Sequence, residues 1–216
     1  MMKRVALAVA ALVTAAHADP NTQPNTAATP HTQVVNADNL FSISVSNTRN
    51  GTPANIRITF LQDINYTYGF PNAVAFNIDL AAAAGWIPEP AHIYGLEWDL
   101  THTALSPSWL SEFRIEFTDK DMTTGFSINP SSTNTPGTET NTSGGLVDLI
   151  SLGHDFYVQP PHILLTLWDT VDDFGGGVEG ILHAGSTMTL AVKFIPAPST
   201  LTLLCIGSVA AMRRRR

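Results

Sequence analysis

An all-β fold, a single antiparallel β-sandwich or jelly-roll-like domain, is the class that this 216-residue sequence predicts. Three observations point to it. Apolar and polar residues alternate with period two in one segment after another, no segment of the body sustains a helical apolar stripe for three turns, and Gly, Pro and Asn clusters punctuate the chain. With 44% hydrophobic residues and ten Phe, the chain is long enough to bury one core without disulfides. Its single cysteine excludes a disulfide scaffold, a paired-cysteine redox motif and a cysteine-ligated zinc site.

The elements follow in order. Met1 to Arg4 is a basic start, Val5 to Ala16 an apolar run, and Ala16-His17-Ala18 supplies the small residues that signal peptidase requires. Residues 1–18 are therefore expected to form a secretory signal helix, cleaved before Asp19. From Asp19 to Ala37 the chain is rich in Asn, Thr, Pro and Gln, and residues 19–37 read as a polar linker that buries too little to order itself. The body, 38–195, begins with Phe41, Ile43 and Val45 alternating with serines. Ile56, Ile58 and Phe60 repeat the pattern, as do Val74, Phe76, Ile78 and Leu80, then Leu96, Trp98 and Leu100, then Phe113, Ile115 and Phe117. Ile163 to Trp168 is a continuous run suited to a buried strand, and Met188, Leu190, Val192 and Phe194 close the series. Between them, Asn129 to Gly145 holds only Ser, Thr, Asn, Pro and Gly apart from Glu139, which predicts a long exposed loop that tolerates deletion.

The chain ends with Pro196-Ala197-Pro198-Ser199-Thr200, an apolar stretch from Leu201 to Met212, and Arg213, Arg214, Arg215 and Arg216. Twelve residues make a short hydrophobic helix of about 18 Å against a hydrocarbon core of about 30 Å, marginal as a span even if Ile195 is included. The arginines would stay on the cytoplasmic side, leaving the body outside. This order of segments resembles the PEP-CTERM sorting tail of exported bacterial proteins, with Ala197 standing where that family has Glu. The resemblance covers residues 196–216. It implies recognition by an exosortase-type transpeptidase, membrane contact through 201–212 before processing, and release or attachment at the cell surface; a plain membrane anchor is the alternative. The body from Gly95-Leu96-Glu97-Trp98-Asp99 to Trp168-Asp169 is also similar to bodies of PEP-CTERM proteins, which implies a shared sandwich and no particular activity.

Charge narrows the partners. Six of the eleven basic residues lie at the two extreme ends, so the segment from Asp19 to Ile195 carries five basic against eighteen acidic side chains, a formal charge of −13. Such a body repels nucleic acid and attracts cations.

Asp169, Asp172 and Asp173 precede Gly175, Gly176, Gly177 and Glu179, and Asp119 with Asp121 forms a second acidic pair. Oxygen ligands on Gly-rich turns suit Ca2+, but the spacing fits no EF-hand, and a solvated turn of acids between two strands is the favoured reading. Glu97, Asp99, Glu112 and Glu116 offer carboxylate pairs of the kind that hydrolyse glycosidic bonds, but each alternates with apolar residues as a solvent-facing strand position does. The histidines show no HExxH, and His154-Asp155 has no Gly-x-Ser-x-Gly nucleophile to serve. Tyr66 and Tyr68, before the Gly69-Phe70-Pro71 turn, are the aromatic residues expected to be exposed and able to stack on sugar rings. The expected function is that of a non-enzymatic exported protein of the cell surface or extracellular matrix, perched near polysaccharide. The alternative is a secreted polysaccharide-binding or polysaccharide-degrading protein.

Overall fold

A computed structural model describes residues 33–34, 39–46, 54–69, 73–84 and 90–195. The signal segment, most of the expected linker and the entire tail from Pro196 to Arg216 lie outside the described residues.

Two sheets pack face to face, as the alternation predicts. The smaller has the order β1 (Gln33–Val34), β5 (Val74–Asp79), β12 (His162–Asp169), β7 (Phe113–Asp119), β8 (Gly125–Ile128). The larger runs β2 (Phe41–Ser46), β3 (Ala54–Phe60), β14 (Thr187–Phe194), β6 (Ala91–Ala104), β13 (Val178–Leu182), β4 (Ile64–Thr67). The spine of the larger sheet is β6, with 14 residues; its other edge is lined by β9 (Gly137–Thr142), β10 (Val147–Asp148) and β11 (Phe156–Val158). Only β1 on β5 pairs in parallel among these strands. The one α-helix of the described residues, α1 (Leu80–Ala84), is a single turn whose Ala82 N–H is capped by the Asp79 carboxylate. No helix among the described residues is long and apolar enough to cross a membrane.

The alternating apolar sets meet between the sheets. Ile56, Ile58, Phe60, Leu96, Leu100, Met188, Leu190 and Val192 of the larger sheet face Phe76, Ile78, Phe113, Ile115, Phe117, Ile163, Leu165 and Leu167 of the smaller, all buried. Edge-to-face rings join the layers, Phe41 with Phe76 at 5.6 Å and Phe126 with Phe156 at 5.5 Å between centroids. Burying side chains of this size stabilises the fold by about 1.5–3 kcal/mol each.

Three sequence expectations are corrected. The stretch 129–145 is not a loop throughout, because β9 occupies its second half and pairs with β6 from Gly137↔Ala104 to Thr142↔Asp99. Threonine is β-branched and pairs across strands through its hydroxyl, so Thr138 meets Thr103 at 2.7 Å and Thr140 meets Thr101 at 2.8 Å, with no apolar residue to mark the strand. Ile43 does not reach the core and stays 36% exposed, since β2 is the edge of its sheet. Tyr66, expected outside, is fully buried.

Candidate functional site

Of the residues singled out in the sequence, Asp169, Tyr66 and Tyr68 meet Glu179 at one end of the sandwich. There β12 ends at Asp169, on the smaller sheet, while β4 and β13 of the larger sheet bring Tyr66 and Glu179 alongside. A parallel bridge between Tyr68 and Asp169, with the Gly69 N–H donating to the Asp169 carbonyl at 3.0 Å, ties the two sheets together.

Asp169 and Glu179 are both fully buried, and the surroundings treat them differently. Glu179 is well satisfied: its Oε2 accepts from the Ser108 hydroxyl, and its Oε1 accepts from the Asp173 and Phe174 N–H groups at 3.2 Å. It thereby latches the loop 172–177 onto the sandwich. Asp169 Oδ1 accepts from the Val171 N–H at 3.1 Å, but Oδ2 has no hydrogen-bond partner and no contact with solvent. Burial pushes the Asp169 carboxyl up to about 7; the Val171 N–H opposes this, and the charges of Glu112 and Glu179 add to it. The group therefore holds a proton at the pH where an ordinary carboxyl has lost it. Burial lowers the Arg114 guanidinium, which donates to the carbonyls of Ser111 and Phe113, and the neighbouring Asp169 and Glu112 oppose that lowering.

Tyr66 stacks on Phe113 at 4.4 Å, and its hydroxyl donates to the Thr103 carbonyl at 3.2 Å. Burial, with the neighbouring Asp169, Glu179 and Glu112, raises that phenol and keeps it protonated. Tyr68 is 39% exposed, so of the two expected sugar platforms only this one faces solvent. Sequence reasoning missed Glu179 and Ser108 as partners; Glu179 lies two residues past a glycine triplet, a spacing that carried no signal of its own.

The five aspartates lie in two separate places, as their two sequence clusters do. The register Ile163↔Asp119 and Asp169↔Phe113 sets Asp119 six residues from Asp169 along the β7–β12 pair, about 20 Å. The Asp119 carboxylate accepts from the Thr123 N–H and hydroxyl and from the Thr124 hydroxyl. Burial raises Asp119, but these hydrogen bonds outweigh it and hold the group below its ordinary value. Asp121 pairs with Lys120 at 2.6 Å, and Asp172 Oδ1 is taken by the Gly176 N–H at 2.8 Å. Among the described residues no group of three or more His, Cys, Asp or Glu side chains is placed to hold a metal ion. His154 is buried against the Phe126 ring, and Asp155 pairs instead with His92 at 2.9 Å.

The outward face of the larger sheet is polar and has an open depression of about 480 Å3 lined by Ser44, Val45, Ser46, Asn55, Arg57, Glu97 and Thr189. The registers Ser44↔Arg57, Arg57↔Thr189 and Thr189↔Glu97 place four of these side by side in one row across β2, β3, β14 and β6. The chain matches no protein-family model, no curated protein and no solved structure.

Proposed function

We propose that this chain is an exported, non-catalytic β-sandwich module of the cell surface or extracellular matrix. A signal segment at 1–18 delivers it, the 19–37 stretch links that segment to the body, and a PEP-CTERM-like tail at 196–216 hands it to an exosortase-type enzyme. The tails carry the export part of this reading through their sequence. The non-catalytic part is supported by one observation: the two most buried carboxylates are enclosed in the protein, Glu179 accepting from Ser108 and from the Asp173 and Phe174 N–H groups, and Asp169 accepting from the Val171 N–H through one of its oxygens. A glycosidase needs two carboxyl groups facing each other across space that a sugar can enter. Here Glu97 and Asp99 instead stand exposed on the outer face of β6.

Association with extracellular polysaccharide is the second reading, favoured by the hydroxyl- and amide-lined depression on that face. Incubating the purified chain with polysaccharide from the surface of the producing cells tests both. Co-sedimentation of protein with intact polymer is expected. Release of new reducing ends would replace this reading with the polysaccharide-degrading one.

A further inference from the structure

We propose that the row Ser44, Arg57, Thr189 and Glu97 on the outer face of the larger sheet is a binding site for a neutral oligosaccharide segment. The proposal rests on the reading that the protein meets polysaccharide, and it names the place and the chemical class.

Three features of the face argue for it. First, the depression is built on four adjacent strands, with Ser44, Val45 and Ser46 from β2, Asn55 and Arg57 from β3, Thr189 from β14 and Glu97 from β6. One step along the strands from the row, Asn55, Ala191 and Gly95 sit side by side through the registers Asn55↔Ala191 and Ala191↔Gly95. Beyond Asn55 the face is filled: Ala191 is fully buried, and a Cβ at Gly95 would lie 3.0 Å from the Leu146 side chain. The volume of about 480 Å3 is within the range of small-ligand sites, roughly 300–1,000 Å3.

Second, the lining offers both hydrogen-bonding senses within one row. Arg57 is a donor, Glu97 an acceptor, and Ser44, Ser46 and Thr189 are both, with the Asn55 amide beside them. A sugar hydroxyl also donates and accepts, and therefore suits such a mixture. Four adjacent strands at about 4.8 Å extend the row over about 14 Å, the shape of a chain segment rather than of a compact ion.

Third, the charges favour a neutral polymer. Arg57 and Glu97 are separated by the intervening Thr189 strand and form no ion pair with each other; Arg57 donates instead to the Thr187 hydroxyl at 3.2 Å. One cation and one anion cancel within the site, and the body around it has a formal charge of −13 between Asp19 and Ile195. A polyuronate would meet Glu97 and that field together, whereas a neutral glycan meets neither as a cost.

The test is affinity electrophoresis of the full chain in gels containing laminarin, galactomannan or xylan as neutral probes and alginate as the acidic one. Retardation by at least one neutral polymer is expected. Both E97Q, which keeps the shape and removes the charge, and R57A should weaken it tenfold or more, while D121N, on the far hairpin, leaves it unchanged. Thermal melting of each variant distinguishes lost binding from lost fold, and E97Q should melt with the parent. Neutral binding that survives both substitutions would overturn the site and leave polysaccharide association standing. Retardation by alginate alone would overturn the ligand class. Failure of every polymer to retard the parent chain would overturn the proposal together with the polysaccharide reading, leaving the export reading to its own test.

Discussion

Tyr66 crosses directly over Gly180: a Cβ added at Gly180 would stand 2.1 Å from the tyrosine hydroxyl and 2.4 Å from the Thr103 carbonyl that the hydroxyl binds. The glycine is the gap through which a phenol on β4 reaches a backbone acceptor on β6, across β13. It thereby sets the packing of the rim where the buried carboxylates sit.

The variant G180A is expected to lose about 2–3 kcal/mol, since both the ring and the β6 backbone must give way. Y66F removes one hydrogen bond and should cost less, about 1 kcal/mol. Urea unfolding of both variants measures the order. A G180A chain as stable as the parent would contradict the packing described.

The Asp169 carboxyl makes stability depend on pH, with a definite sign. Its ordinary value is 3.8 and its folded value is about 7, so between these the folded chain holds a proton that the unfolded chain has released. Stability is therefore highest near and below pH 4 as far as this group is concerned, and falls as pH rises toward 7. D169N should flatten that slope. Urea midpoints at pH 5 and pH 8 for parent and variant check it, and equal slopes would contradict the assignment.

Deleting residues 129–145 should be poorly tolerated. The deletion removes β9 and exposes the β6 edge from Asp99 to Ala104, and it also removes Ser131, buried and donating to Glu139 at 2.7 Å. The expected outcome is an insoluble product or a melting temperature lowered by more than about 10 °C. A deletion variant that melts with the parent would restore the loop reading of that stretch.

Calcium should leave the fold where it is. The carboxylates of Asp119, Asp121 and Asp172 are taken by Thr123 and Thr124, by Lys120 and by the Gly176 N–H, and Asp169 lies inside. Melting in millimolar calcium and in chelator should agree within about 1 °C, because binding well above its Kd would shift the transition. A clear rise with calcium would contradict this account of the acidic turns.

Much of the architecture was legible in the sequence because burial writes itself as alternation. Phe113, Ile115 and Phe117, or Ile56, Ile58 and Phe60, are fully buried as their spacing requires. The same logic fails where a strand carries no apolar residue: Thr138 and Thr140 hold β9 to β6 through hydroxyl pairs and main-chain bonds, and hydrophobic period has nothing to count. Tyr66 failed for a different reason. Its inward position depends on Gly180, more than a hundred residues away, and on the Phe113 ring of the opposite sheet. The candidate site was legible only in pieces: Asp169 and the tyrosines were marked, but their meeting with Glu179 and Ser108 is a product of strand order, which local pattern does not carry.

The central claim is that this sandwich is an exported module processed at both ends, and the most direct measurement is the intact mass of the protein recovered from its native cell surface or medium. The account predicts a chain that begins near Asp19 and ends near the Pro196–Thr200 segment, with any surplus mass at the new C-terminus reporting what it is joined to. A mature chain that still carries Leu201 to Arg216 would make the tail a permanent anchor and contradict sorting. A chain that still begins at Met1 would contradict export by a cleaved signal.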